Sequence, residues 1–483
     1  MVMDGKKIPH GFTYDDIYLI PQKSSVNSRR EVLLTSKLTK KISLALPMVS
    51  ANMDTVTESQ MAIAMARQGG IGFIHRFNTI EEQVRQVSLV KREENARAED
   101  LEKFSPDTPL RDAIHLFEDD GRTCLFVVDP KGKLLGLVKK RDILFEPKDS
   151  AKKLKDVMMP FNRLTLGRPN LSLQEAVNIF KKYKFENLPL VDKNKKLIGL
   201  ITIKDVLNRN LLNVSSDKRG RLLVGAAIGI AGDYKERAAA LVRAGADVLV
   251  VDVAHGHLVK TINTVKEIKR KYKIEVVAGN IATAEGARDL IRAGADAIKV
   301  GVGPGSICKT RIVTGFGVPQ ASAIMAAATV AKRYNVPLIA DGSIRTSGDI
   351  VKALALGAST VMMGNLLAGT EESPGEIIFW NGKRCKIYRG MASLAANLKR
   401  TDKKLYDEHE TYYTFVSEGT DRAVIPTTGS VKELLIQLAG GVRSGFSYCG
   451  ARNIKDLWRK AKFIRATAAA VKEGQIHDVE MID

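Results

Sequence analysis

From Gly225 to Gly369 short apolar runs alternate with amphipathic stretches, and the runs end in glycine, aspartate or asparagine. A strand followed by a helix that returns the chain to a parallel neighbour leaves this rhythm in a sequence. The runs Leu222–Ala227, Val248–Val253, Glu275–Ala278, Ala297–Val302, Pro337–Ala340 and Thr360–Gly364 predict strands. Tyr234–Arg243, Val259–Lys271, Glu285–Arg292, Ala321–Arg333 and Ser347–Leu356 predict the helices between them. The phrase Arg243-Ala-Gly-Ala-Asp247 returns as Arg292-Ala-Gly-Ala-Asp296, marking equivalent helix-to-strand joints. Two more candidates lie early, at Leu46–Ala51 and Gly70–His75, so a set of eight strands draws on both N-terminal and central segments. Residues of chemical interest follow many different strands. This favours an α/β fold closed as a (β/α)8 barrel over an open sheet, because a barrel gathers its strand ends on one face.

Between about Glu93 and Arg219 the pattern is interrupted by a segment with its own repeat. Asp129-Pro-Lys-Gly-Lys-Leu-Leu-Gly-Leu-Val-Lys-Lys-Arg-Asp-Ile-Leu144 matches Asp192-Lys-Asn-Lys-Lys-Leu-Ile-Gly-Leu-Ile-Thr-Ile-Lys-Asp-Val-Leu207 without a gap, at an offset of 63 residues (142 to 205, 117 to 180). Each copy reads as helix, strand, turn, strand, helix, and two such copies pack as a pseudo-symmetric pair. The expected organisation is barrel over 1–92, insert over 93–219 and barrel again over 220–483. The repeat resembles tandem CBS modules, a Bateman domain, and the resemblance implies an adenine or guanine nucleotide, ATP or GTP, bound through a Thr-x-x-Asp element. The second copy carries it as Thr202-Ile-Lys-Asp205, whereas the first has Lys139 where the hydroxyl belongs. One regulatory site at Thr202 and Asp205 is therefore expected rather than two, with a purely structural insert as the other reading.

At 483 residues the chain exceeds one ordinary core and predicts two or three domains. Its 45% hydrophobic and 27% charged residues are those of a soluble globular protein, and no uninterrupted apolar run approaches a bilayer span. The opening Met1–Lys7 is polar, and Cys124, Cys308, Cys385 and Cys449 are scattered without ligand spacing, so a reducing cytoplasm is the expected compartment. A formal net charge of +21 raises nucleic-acid binding. The positive clusters Lys139–Arg141, Lys193–Lys196 and Lys269–Lys271 are isolated, however, and no aromatic-rich base-stacking motif accompanies them. A basic surface that attracts anionic nucleotides is expected, with neither nucleic acid nor membrane as partner.

One turn is suited to chemistry. Gly301-Val-Gly-Pro-Gly-Ser-Ile-Cys-Lys-Thr310 hangs a single thiol on a glycine-rich turn straight after an apolar strand. Glycines permit backbone angles that other residues resist, and unblocked amides at such a turn can point together at an anion. Ser306 adds a hydroxyl donor. A thiolate is the strongest ordinary side-chain nucleophile. Taken alone, Cys308 reads as a buried structural cysteine; its turn makes it a nucleophile candidate.

Several stretches join it: Pro47-Met-Val-Ser-Ala-Asn-Met-Asp-Thr-Val-Thr-Glu58, Asp252-Val-Ala-His-Gly-His257, Ala278-Gly-Asn280, Asp341-Gly-Ser-Ile-Arg-Thr-Ser-Gly-Asp349 and Tyr388-Arg-Gly-Met-Ala-Ser393. Together with the cysteine turn they closely resemble the inosine monophosphate dehydrogenase and guanosine monophosphate reductase superfamily, over nearly the whole chain. The resemblance implies a TIM barrel with an early CBS insert. It places Cys308 in attack on purine C2, Asp341 on the ribose hydroxyls, and Ser306, Gly342, Ser343, Gly364, Asn365 and Tyr388 around the 5′ phosphate. Gly390 and Met391 would hold the base. Asp252, Asn280, Gly301 and Gly303 would meet the nicotinamide side, and the carbonyls of Gly303, Gly305 and Cys308 a potassium ion. A homotetramer able to pair into octamers is implied as well. For Asp252 a helix N-cap is the other reading. His255 and His257 lack third and fourth ligands at suitable spacing, so no metal pair is expected there.

The two branches share the covalent purine intermediate and differ in what meets it. Dehydrogenases oxidise IMP with NAD and activate water with an arginine-tyrosine pair, whose arginine falls at position 405 here. This chain has Leu405-Tyr406, and Lys404 is a poor substitute for a planar guanidinium. Ser417-Glu-Gly-Thr-Asp-Arg-Ala-Val-Ile-Pro426, Gly440-Gly-Val-Arg-Ser-Gly-Phe-Ser-Tyr-Cys-Gly-Ala451 and Lys462-Phe-Ile-Arg-Ala-Thr467 look like reductase segments. In reductases a threonine and a glutamate protonate the departing amine, and they map onto Thr310 and Glu418. Tyr388-Arg-Gly-Met391, Thr370-Glu-Glu-Ser-Pro374 and the insert look more like dehydrogenases, and Phe415 stands where some reductases have an arginine for the cofactor phosphate. Ser343 and Asn365 replace the usual glycine and glycine or serine. The expectation is a GMP reductase using NADPH, with NADH or NAD left open. An IMP dehydrogenase with an atypical flap and a catalytically idle nucleotide sensor are the rivals.

Overall fold

The computed structural model describes residues 8–92, 101, 103–119, 124–147, 150–169, 171, 173–183, 185–203, 214–398 and 416–476. The chain divides into two compact units. One comprises Met1–Lys91, Asn213–Asp217 and Leu222–Asp483; the other comprises Arg92–Leu212 and Lys218–Arg221.

In the first unit eight parallel strands close into a TIM barrel: β1 Met48–Ser50, β2 Ile71–Ile74, β3 Val224–Ile228, β4 Val248–Asp252, β5 Glu275–Ile281, β6 Ala297–Val300, β7 Leu338–Asp341 and β8 Thr360–Met363. β8 pairs with β1, and β2 with β3, so the two N-terminal strands complete a ring built mainly from the central segment. Helices α1 Ser59–Arg67, α2 Ile80–Arg92, α3 Tyr234–Ala244, α4 Val259–Lys271, α5 Ala284–Arg292, α6 Gln320–Tyr334, α7 Ser347–Ala355 and α8 Val431–Tyr448 follow the strands in turn. Every predicted strand is present, most ending a residue or two from its expected limits, where the ladder hydrogen bonds stop.

Local chemistry sets the helix ends. Thr283, Thr346 and Ser430 accept backbone N–H bonds at the starts of α5, α7 and α8, and Asp349 closes a capping box with Thr346. α3 stops at Gly245, whose left-handed backbone lets it accept this cap conformation without a Cβ clash. Inside the ring Val49, Phe73, Val250, Val277, Ile339 and Met362 form a buried core, and Leu38 and Leu44 of the hairpin Ser36–Lys37/Ser43–Leu44 join it. Thr39 of that hairpin donates to Glu275 Oε2 at 2.8 Å at the start of β5, so the hairpin plugs the N-terminal end of the barrel. The C-terminal strand ends are left to the loops that carry the candidate site. No described helix is long and apolar enough to cross a membrane.

The second unit repeats one hairpin. Cys124–Val128 pairs antiparallel with Leu134–Lys139, and Asn187–Val191 with Leu197–Thr202, after helices Leu110–Asp119 and Leu173–Tyr183. The registers correspond residue for residue, including a shift at Val127/Val128 and again at Leu190/Val191. The turns agree too: Asp129 Oδ1 accepts from the Lys131 and Lys133 amides, and Asp192 Oδ1 from those of Asn194 and Lys196. Gly132 has φ +80° and its counterpart Lys195 φ +65°, so the turn demands a left-handed residue in both copies. The two turns bridge each other at Lys133 and Lys196. Thr202 ends the second hairpin, opposite Asn187. Asp205 lies outside the described residues.

Candidate active site

The turn after β6 is shaped by close backbone approach. Gly301 has φ +154°, and a Cβ there would stand 2.0 Å from the Asp341 carbonyl oxygen, so only glycine lets β6 and β7 end side by side. Gly342, at φ +105°, abuts Pro304 of the same turn. Ser343 follows at φ +60°, a left-handed conformation that explains why glycine is usual there, and its hydroxyl donates to Pro304 O at 2.9 Å. That hydroxyl thus holds the turn.

Cys308 closes the turn by donating its amide to Gly305 O at 3.1 Å. Its thiol donates to Thr310 Oγ1 at 3.2 Å, and the Thr310 hydroxyl donates to Glu418 Oε2 at 2.8 Å. Glu418 is fixed by backbone: Lys309 N donates to Glu418 O at 2.7 Å, Thr420 N to Ile307 O at 3.0 Å, and Cys308 bridges Gly419. The same segment reaches the loop after Tyr388, with Glu418 and Gly419 amides on Ala392 O and the Gly390 amide on Thr420 O. Sulfur, hydroxyl and carboxylate therefore form one hydrogen-bonded line whose two ends come from distant sequence.

A second cluster joins the ends of β4, β5, β6 and β7. Lys299, only 2% exposed, lies 2.7 Å from Asp252 Oδ1 and 2.6 Å from Asp341 Oδ2. Asn52 Nδ2 donates to Asp252 Oδ2 at 3.0 Å, and Asn280 Nδ2 donates to both Asp341 Oδ2 at 2.9 Å and Gly301 O at 2.8 Å. Burial alone would raise the Asp252 carboxyl, but the Lys299 ammonium and Asn52 outweigh it and hold it below its ordinary value. Burial would likewise lower Lys299, and the two carboxylates reverse that, raising it. Asp252 is no helix cap, since α4 begins at Val259 with Leu258 as its N-cap. Asp341 Oδ1 makes no hydrogen bond among the described residues, and buried Asn280 Oδ1 makes none either. The Asp341 oxygen, on a side chain 21% exposed, is available to a ligand.

Gly364 forms the floor of a third group. A Cβ on it would meet the Tyr388 hydroxyl at 2.9 Å, and Ser306 stands beside that hydroxyl. Burial pushes Tyr388 up to about 12, with Ser306 pulling weakly the other way, so it remains a neutral donor. Arg389 binds Asp54 with both ends of its guanidinium, Nε–Oδ1 at 3.1 Å, and Asp54 N donates to Met391 Sδ at 3.4 Å. Asn365 is exposed at the start of a one-turn helix. His257 faces Asp289 at 2.8 Å. Positions 404–406 and Phe415 lie outside the described residues, and Thr202 belongs to the other unit.

A family profile described as "IMP dehydrogenase / GMP reductase domain" matches residues 11–477. The chain belongs to the IMP dehydrogenase / GMP reductase family. Inosine-5′-monophosphate dehydrogenase of Nitrosopumilus maritimus is 50% identical over 476 residues, 97% of this chain and 98% of that protein. GMP reductase of Leishmania major is 45% identical across 98% of each. The crystal structure of GMP reductase from Trypanosoma brucei in complex with guanosine 5′-monophosphate matches with a TM-score of 0.88 at 44% identity, covering 98% of this chain and 99% of that one. Both branches of the IMP dehydrogenase / GMP reductase family thus align with this chain from end to end.

Lys299, Asn52, Asp54 and Arg389 were not assigned roles from sequence. A lysine within the apolar run Ala297-Ile-Lys-Val300 was the available signal for the first, because a charge there must find a buried partner.

Proposed function

We propose that this chain is a GMP reductase, converting GMP to IMP and ammonia with a reduced nicotinamide nucleotide, NADPH, as hydride donor. The hydrogen-bonded line from Cys308 through Thr310 to Glu418 is the observation that carries the reading. As Cys308 attacks C2 of the purine, its proton passes by Thr310 to the Glu418 carboxylate. The C2–N bond breaks, the departing amine takes that proton back and leaves as ammonia, and sulfur remains bonded to C2. When bound, the nicotinamide supplies a hydride to C2, and the C–S bond breaks to release IMP and the thiolate. The thiolate takes up one proton to restore the thiol and the released ammonia a second to become ammonium, so charge and atoms balance. Water attack on the same intermediate would instead need an activating base, and position 405 holds leucine.

In this reading Asp341 Oδ1 accepts from the ribose, and Ser306, Gly342, Gly364, Asn365 and Tyr388 surround the phosphate with neutral donors. Ser343 acts by holding its turn. Gly390 and Met391 meet the base, while Asp252, Asn280, Gly301 and Gly303 border the nicotinamide. Carbonyls of Gly303, Gly305 and Cys308 suit a potassium ion. The hairpin repeat acts as a tandem CBS domain taking ATP or GTP at Thr202 and Asp205, and the assembly is a homotetramer able to form octamers.

The higher identity to a dehydrogenase, 50% against 45%, favours IMP dehydrogenase as the second reading. Incubation with GMP and NADPH should consume reduced cofactor and release ammonia. Turnover only with IMP and NAD, giving the xanthine nucleotide, would replace the first reading by the second.

A further inference from the structure

A second concave site lies at the opposite end of the barrel. α8 follows β8 and runs back along the wall, so Arg443 near its C-terminus stands by the N-terminal strand ends, as does Ala45 ahead of β1. With the segment Arg29–Thr35 they line a cleft of about 330 Å³, the size of a small-ligand site. Arg29, Arg30 and Arg443 all border it, and none has an ion pair or side-chain hydrogen bond among the described residues. Glu31, the one acidic residue between Ser24 and Leu46, is engaged elsewhere: it accepts from Ser28 N at 3.0 Å and pairs with Arg452 at 3.4 Å. No acidic residue stands between Glu433 and Asp456 on α8 or just beyond it.

The walls are fixed before any ligand arrives. Ser28 and Glu31 close a capping box around the turn Arg29–Glu31, Leu33 N donates to Arg452 O at 2.8 Å, and Val32 and Leu34 are buried in the main core. Guanidinium groups gathered without a counter-charge repel one another, and their planar forks match the paired oxygens of phosphate. We propose that this cleft binds a phosphate chain, the di- or triphosphate of a small molecule, apart from the catalytic face.

Inorganic triphosphate is the probe, titrated calorimetrically into the full chain with saturating GMP occupying the catalytic face. Saturable binding is expected, weakened roughly tenfold or more by Arg443→Ala or by the exposed Arg30→Ala, lost in the double variant, kept in Thr202→Ala, and weaker at high salt. ATP, titrated into Thr202→Ala so that the hairpin repeat does not contribute, separates the sources: binding tighter than that of triphosphate identifies a nucleoside polyphosphate, and equal or weaker binding an inorganic chain. No binding to the wild type, undiminished binding to a double variant that retains its Tm, or loss of binding in Thr202→Ala would overturn the proposal.

Discussion

Thr310 donates its hydroxyl to Glu418 Oε2 at 2.8 Å across 108 positions of sequence, and the Cys308 thiol donates to the same hydroxyl. The backbone bond from Lys309 N to Glu418 O lies beside this pairing, so thiol and carboxylate are positioned by one short bridge.

Glu418→Gln keeps the shape of that side chain and removes its basicity. GMP reduction should lose about 10²–10⁴-fold in kcat, the usual reach of general acid–base catalysis, with little change in KM. Rapid-quench measurement of ammonia release checks this; an undiminished burst would take Glu418 out of the proton path.

Lys299→Met leaves Asp252 and Asp341 facing each other without the ammonium between them. Stability should fall by about 3–5 kcal/mol, as when one partner of a buried pair is removed, with Lys299→Arg recovering part of it. Denaturant unfolding reads the difference. Because the folded-state carboxyl of Asp252 is depressed, its contribution is present above the ordinary carboxylate range and disappears as pH falls through the folded value. Lys299 is raised, so its contribution holds below the ordinary lysine range and fades as pH rises through its folded value. The gap between wild type and Lys299→Met should therefore be widest between about pH 5 and 9 and narrow on acidification.

Tyr388→Phe deletes a donor from the proposed phosphate cradle. KM for GMP should rise about tenfold or more, matching a hydrogen bond to a charged group, while kcat holds. Since burial pushes Tyr388 up to about 12, the wild-type pH profile should show no limb from this hydroxyl below about pH 11.

Asp54→Asn loosens the loop that presents Met391, because Arg389 loses its carboxylate partner. Both Tm and affinity for GMP should drop. The apolar pair Asp54→Leu/Arg389→Met should recover Tm without recovering affinity, which separates the ion pair's positioning role from its contribution to stability.

The barrel was legible because each strand is a compact apolar run ended by glycine or a polar residue, and the offset hairpins were legible because the repeat is ungapped. The turn around Cys308 could be read as well, since its glycines are forced by backbone approach at Gly301 and Gly342. Lys299 could not: its partners Asp252 and Asp341 belong to other strands, and only closure of the ring brings them within 2.7 Å. Arg389 and Asp54, 335 positions apart, meet for the same reason. Strand limits were off by one to three residues because they depend on neighbours that periodicity does not name.

Lys91 is the last residue of the barrel unit before the interruption and Asp217 belongs to its first return, Asn213–Asp217; the two are joined, for the buried Lys91 ammonium lies 3.2 Å from Asp217 and 2.7 Å from Asp247, and donates to Leu222 O at 2.8 Å. Departure and return thus share one rivet. All eight strands of the ring lie outside the second unit, so the closure of the barrel owes none of its rungs to the segment that interrupts it.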